Sequence, residues 1–152
     1  MSLLWRRNIN LTLNNWIMKQ EDKDLLLKDI CARLPYNVKC CIYNFYRDEY
    51  EDETITISNL SELIDTFSIC EIKPYLFPMS SMTEEQCEEL KREYCNIACD
   101  NIKKMFENPD ETHLYSSKSS SFEIDWFHRY HIDYRGLIPK GLAKDATGLN
   151  IY

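Results

Sequence analysis

The chain has very little glycine: three residues in 152, all of them after position 135. Cradling a pyrophosphate with backbone amides takes several close residues without a Cβ. Neither G-x-G-x-x-G nor G-x-x-x-x-G-K-[ST] occurs, so the two common phosphate loops are absent. Long apolar runs are missing as well. The opening MSLLWRRNINLTLNNWIMKQ holds two arginines, but asparagines interrupt its apolar residues and no small-x-small cleavage site appears, which fits neither a signal peptide nor a membrane span. Paired-cysteine motifs are lacking too. The seven cysteines, at 31, 40, 41, 70, 87, 95 and 99, are odd in number and form no C-x-x-C. A secreted disulfide framework or a common zinc spacing is therefore not expected. The sequence reads as that of a cytoplasmic protein with reduced thiols and no membrane contact.

Positive charge is scarce where negative charge is dense. The net charge is −7, and residues 48–100 carry three Lys/Arg against fourteen Asp/Glu, whereas residues 1–47 carry eight against four. An acidic middle repels nucleic acid and attracts basic partners at long range. The plainer reading of such runs is a solvated surface that keeps the protein soluble.

What is present predicts one α+β domain over residues 18–152, with residues 1–17 an N-terminal extension or an edge strand. EDKDLLLKDICARL (21–34) places Leu26, Leu27, Ile30 and Leu34 on one helix face, acids crowd its first turn, and Pro35 ends it. VKCCIYNFYR (38–47) and ETITIS (53–58) read as an antiparallel hairpin, with DEYEDE as its charged turn. Pro74 and Pro78 keep residues 70–79 extended. Thr83 and Gln86 make a capping box that opens a long helix closed by Pro109, and Ser120 with Glu123 makes a second, opening a helix through about His131. The glycine-bearing tail is expected to wrap over the surface as turns. The expected architecture is a hairpin or small antiparallel sheet packed against one long and two shorter helices.

The densest chemistry lies in FEIDWFHRYHIDYRG (122–136), with two histidines, three acids and five aromatic rings. On a helix, Phe122, Trp126 and Tyr130 form an inward stripe with Phe127 beside it. A metal reading would use Asp125, His128 and His131, completed by Asp133 or His113. The helical zinc pair H-E-x-x-H spaces its histidines four apart around a glutamate; here the spacing is three and no glutamate intervenes. Structural histidines are the expectation, with no catalytic residue, metal or other cofactor. Cys40 and Cys41, adjacent on a strand, should point to opposite faces and behave as small buried hydrophobes. The acidic hairpin is the more suggestive surface. Asp48, Glu49, Glu51, Asp52 and Glu53, with Tyr43, Tyr46 and Tyr50 as apolar anchors, could present a charge array like that of a phosphate backbone.

Three stretches, DLLLKDICARLPYNVK (24–39), IKPYLFPMSSMTEEQ (72–86) and IDWFHRYHIDYRGLIPKGLA (124–143), together resemble a group of small proteins of Bacteroidetes-type bacteria, their phages and mobile elements. The resemblance covers about half of the chain in the same order. Its anchors fall on Leu34, Pro35 and Tyr36, on Lys73, Pro74 and Tyr75, and on Trp126, Asp133, Tyr134, Arg135, Leu137 and Ile138, which implies structural roles for them. His128 and His131 are not fixed parts of the pattern. The acidic stretch 48–53 and the first seventeen residues depart from it. The group implies no activity, only the company of mobile elements, where small acidic proteins often inhibit host defence. The function expected is thus non-enzymatic binding to, and inhibition of, a basic, nucleic-acid-binding protein such as a bacterial defence effector, without direct contact to nucleic acid. A small metalloprotein or hydrolase around Asp125, His128 and His131 is the alternative, and a structural or regulatory protein of a mobile element is the third. In that third reading Asp133 and Arg135 form an ion pair beside Tyr134 that locks the C-terminal wrap.

Overall fold

A mixed five-stranded sheet organises the chain in this computed structural model, which describes residues 18–67, 69–94 and 121–152. The elements run α1 (Gln20–Arg33), β1 (Lys39–Asn44), β2 (Glu49–Thr54), α2 (Ile57–Thr66), β3 (Cys70–Pro78), α3 (Glu84–Tyr94), α4 (Ser121–Arg129), β4 (Ile132–Asp133) and β5 (Lys144–Asp145). The fold is α+β. Strand order is β2-β1-β3-β4, with β5 also on β3; β1 is antiparallel to both neighbours, while β4 and β5 run parallel to β3.

The alternation of β1 and β3 sets the layers. Cys40 and Ile72 face α1 and α2, where they bury with Leu26, Ile30, Ile55 and Leu63. Each such aliphatic side chain contributes about 1.5–3 kcal/mol through removal from water. Cys41 and Tyr75 face the other way and pack with Ala146 and Ile151 from the C-terminal segment. The adjacent cysteines thus occupy opposite faces, and burial pushes the Cys40 thiol well up, away from its reactive form. A third group buries Trp126 and Phe127 of α4 with Leu90 of α3, Ile132 and Tyr134.

Pro74 lies inside β3, where a missing N–H is normally costly. Phe45 N–H donates to Ile69 C=O (3.2 Å), so alternation makes Cys40–Pro74 a pair without mutual hydrogen bonds. The proline nitrogen therefore faces the far edge, one residue before β5 begins its pairing at Tyr75. No ladder bond is lost.

Two sequence expectations need correction here. EYEDE (49–53) is strand, not turn: β2 begins at Glu49, and the reversal is made by residues 45–48, of which only Asp48 belongs to the acidic run. Asn44 sets it, because its Oδ1 accepts the N–H of Tyr46 (2.9 Å) and of Arg47 (3.2 Å), and Asp48 takes the left-handed conformation at φ 56°. The alternation of ETITIS then breaks at Thr56, which with Asn59 forms a capping box for α2 and leaves Ile57 on the surface. The tail is likewise more than surface turns. It supplies β4 and β5, and Leu137, Leu142 and Ala143 bury against Leu76. The Thr83–Gln86 box is present in both directions, at 2.9 and 3.2 Å. The far half of the long helix, the Ser120–Glu123 box, residues 1–17, His113, Cys95 and Cys99 lie outside the described residues.

Candidate functional site

The polar cluster around the 122–136 stretch is centred on α1, not on the histidines. Asp29 and Arg33 are both fully buried, and Arg33 meets Asp29 twice, through Nε (2.7 Å) and Nη2 (3.2 Å). The same guanidinium donates to Phe127 C=O (3.3 Å) near the C-terminal end of α4 and to Ile132 C=O (2.8 Å) in β4. A cation at a helix C-terminus satisfies carbonyls that have no intrahelical donor. Arg33 thus clamps α1 to the α4–β4 corner. Arg135 approaches Asp29 (3.7 Å) and lies over the Tyr134 ring, 5.0 Å from its centroid.

Asp133 does not pair with Arg135, contrary to expectation. Its carboxylate accepts the N–H groups of Leu137 and Ile138, each at 2.8 Å, and so closes its own loop. Burial raises the Asp133 carboxyl, an effect those two amides oppose. His128 Nε2 is 2.8 Å from the Tyr134 hydroxyl, and His131, at φ 54°, stacks on Tyr152 with ring centroids 3.8 Å apart. Burial, reinforced by the nearby Arg33, pushes both imidazoles down to about 4, so both are neutral at pH 7. Asp125 faces elsewhere, accepting the Tyr36 hydroxyl at 2.6 Å and lying 3.8 Å from Arg129. The three candidate ligands are engaged separately, and among the described residues no group of three His, Cys, Asp or Glu side chains is placed to hold a metal ion.

The acidic hairpin has a different character. Among the described residues β2 is the outermost strand, and residues 49–53 are all exposed. The pleat divides their side chains. Glu49, Glu51 and Glu53 line one face, opposite Asn44, Ile42 and Cys40 of β1, while Tyr50 and Asp52 line the other, opposite Tyr43 and Cys41. Tyr50 is 65% exposed; its ring centroid lies 4.6 Å from that of Tyr43, and the Lys144 ammonium lies 5.0 Å from the Tyr50 ring centroid. Tyr46, 55% exposed, stands in the turn. Two of the acids have internal duties. Asp48 accepts the Tyr43 hydroxyl, and that bond, with some burial, raises the phenol. Asp52 accepts the Tyr75 hydroxyl at 2.8 Å. The outward acids are Glu49, Glu51 and Glu53, of which Glu53 also accepts the Asn59 amide (2.9 Å).

The second acidic run does not join this surface. α3 packs on α4, which adjoins β4, and there Glu89 accepts the Tyr130 hydroxyl (2.8 Å) and Trp126 Nε1 (3.4 Å). Of the expected anchors, Trp126 and Tyr134 are buried in the core, Tyr36 and Tyr75 are tied by their hydroxyls, and Pro35 sits in a single 3₁₀ turn. Asp29 and Arg33 were not foreseen. The signal was available: they share the α1 stripe with Leu26 and Ile30 at spacings of three and four.

Compared with protein-family models, curated proteins and solved structures, the chain has no match. Among the described residues no helix is long and apolar enough to cross a membrane.

Proposed function

We propose that this is a non-enzymatic binding protein that engages a basic protein partner through the β2 edge. One observation carries the reading: Glu49, Glu51 and Glu53 project from one face of an exposed outer strand, repeating about every 7 Å, with exposed tyrosines at the same hairpin. A regular line of negative charge suits a basic channel built to receive a nucleic-acid strand. Tyr46 and Tyr50 add apolar area that binds without much loss of side-chain freedom. The partner class is a nucleic-acid-binding protein, such as a bacterial defence effector, which this surface would inhibit by occupying its channel. The buried histidines serve the fold in this reading, since their ring contacts are all internal.

The test is capture from host lysate with the wild-type protein and with a variant carrying Glu49→Lys, Glu51→Lys and Glu53→Lys, at low and high salt. Asp48 and Asp52 are left alone because each holds a tyrosine hydroxyl. The wild type should retain a basic protein that salt releases, and the variant should lose it while melting normally. Equal retention by both would overturn the reading.

A further inference from the structure

The way β2 pairs with β1 says which of its backbone groups are free to bind something else. Ile55 N–H donates to Val38 C=O at 2.8 Å, which makes Val38–Ile55 a hydrogen-bonded pair. Antiparallel pairs alternate between bonded and non-bonded. Glu53, Glu51 and Glu49 therefore spend their backbone groups on Cys40, Ile42 and Asn44. Tyr50, Asp52 and Thr54 turn theirs outward, and among the described residues only the Thr54 carbonyl is taken, by the Asn59 amide at 3.1 Å. Among the described residues no strand pairs with this side. The strand is about 20 Å long, enough to accept another. Its charges decide which. A second copy would bring the same glutamates against these, and acids on an edge bar such like-with-like pairing. A basic strand would meet opposite charge at every alternate position.

We propose that the outer edge of β2 takes an extended segment of the partner by strand addition, with Lys or Arg at alternate positions facing Glu49, Glu51 and Glu53 and apolar residues facing Tyr50. It rests on the binding role proposed above and adds the mode of docking. Backbone bonds from Tyr50, Asp52 and Thr54 supply affinity, and the glutamate row with the tyrosine face supplies selection.

The probe is the capped peptide Lys-Val-Lys-Val-Lys-Val-Lys-Val, with two isomers N-methylated at all the lysine amides or at all the valine amides. Charge and side chains are the same in all three. Residues opposite each other share a face, so the valines bond to Tyr50 and Asp52 if the peptide runs antiparallel, and the lysines do so if it runs parallel. Strand addition therefore predicts that one isomer binds at least about tenfold more weakly than the parent and the other does not. The Tyr50, Asp52 and Thr54 amides should also gain protection from hydrogen exchange with the parent peptide. Thr54→Pro, which removes an outward amide while keeping every carboxylate and every β1–β2 bond, should weaken the parent peptide as well. Equal binding by all three peptides would overturn strand addition and leave the acidic surface standing as a purely electrostatic one. A parent peptide that does not bind, while the captured partner still depends on the glutamates, would overturn strand addition alone. Failure of both experiments would remove both proposals.

Discussion

Asp29 and Arg33 stand on the same stripe of α1 as Leu26 and Ile30, so that helix turns two charges and two aliphatic side chains toward one interior. A buried pair of this kind contributes little net stability when intact and costs much when halved, because the remaining charge is stranded. Arg33→Met should lower unfolding stability by about 3–5 kcal/mol, measured by urea denaturation. The double change Asp29→Leu with Arg33→Met should cost less than the single one. The neighbouring histidines give a pH dependence of fixed sign. Their folded values near 4 lie below the 6.5 of an unperturbed imidazole, so the unfolded chain binds more protons between those limits. Stability is full above about pH 6.5 and falls as pH drops toward 4, by on the order of 3 kcal/mol per histidine. Asp133, raised by burial, acts in the opposite sense at the acid end. His131→Phe, which preserves the stack on Tyr152, should flatten the profile of urea midpoints between pH 7 and 4.5. An unchanged slope would show that His131 is not one of the groups responsible. The sequence revealed the inward face of Trp126 and Phe127, with Tyr130 packed against them. The shared stripe marked Asp29 and Arg33 as inward-facing, but it could not show what Arg33 holds, because those carbonyls lie far along the chain in α4 and β4.

Elements end and meet through single hydrogen bonds, and here the sequence was most legible where the partners are close in the chain. The Thr83–Gln86 box was readable because both halves lie within four residues. Thr83→Ala should destabilise by about 1 kcal/mol, seen as a lower melting temperature. A β1–β2 hairpin was expected, but with its turn set on the acids that form β2 and its second strand too late in the chain, because a run of acids looks like loop until the Asn44 side chain is seen to set the reversal. The longest-range closure could not be read at all. The Tyr152 hydroxyl accepts Lys39 N–H (3.1 Å) and donates to Tyr75 C=O (2.8 Å), standing between β1 and β3 where their ladder would otherwise continue. Burial pushes that phenol up to about 12, so it remains a donor throughout the neutral range. Tyr152→Phe leaves both backbone groups without this partner and should cost about 1–3 kcal/mol in urea unfolding. It should also raise hydrogen exchange at the Lys39 amide.

Across the described residues, the two acidic runs fall in separate parts of the fold. In one, α3 and α4 enclose an aromatic core and use Glu89 internally; in the other, β2 stands exposed with its glutamates outward. The charge imbalance was plain in the sequence. That the two acidic runs belong to separate elements, β2 and α3, with α3 packed on α4, was not, since packing is set by tertiary pairing and not by spacing along the chain. The central claim is that the Glu49, Glu51 and Glu53 row is a binding surface and not merely a solvated one. It is tested most directly by titrating the purified captured partner against wild type and a Glu49→Gln, Glu51→Gln, Glu53→Gln variant, which keeps shape and removes charge. Binding should weaken at least about tenfold in the variant, with a shallower salt dependence and an unchanged melting temperature. Equal affinity and equal salt dependence would contradict that claim.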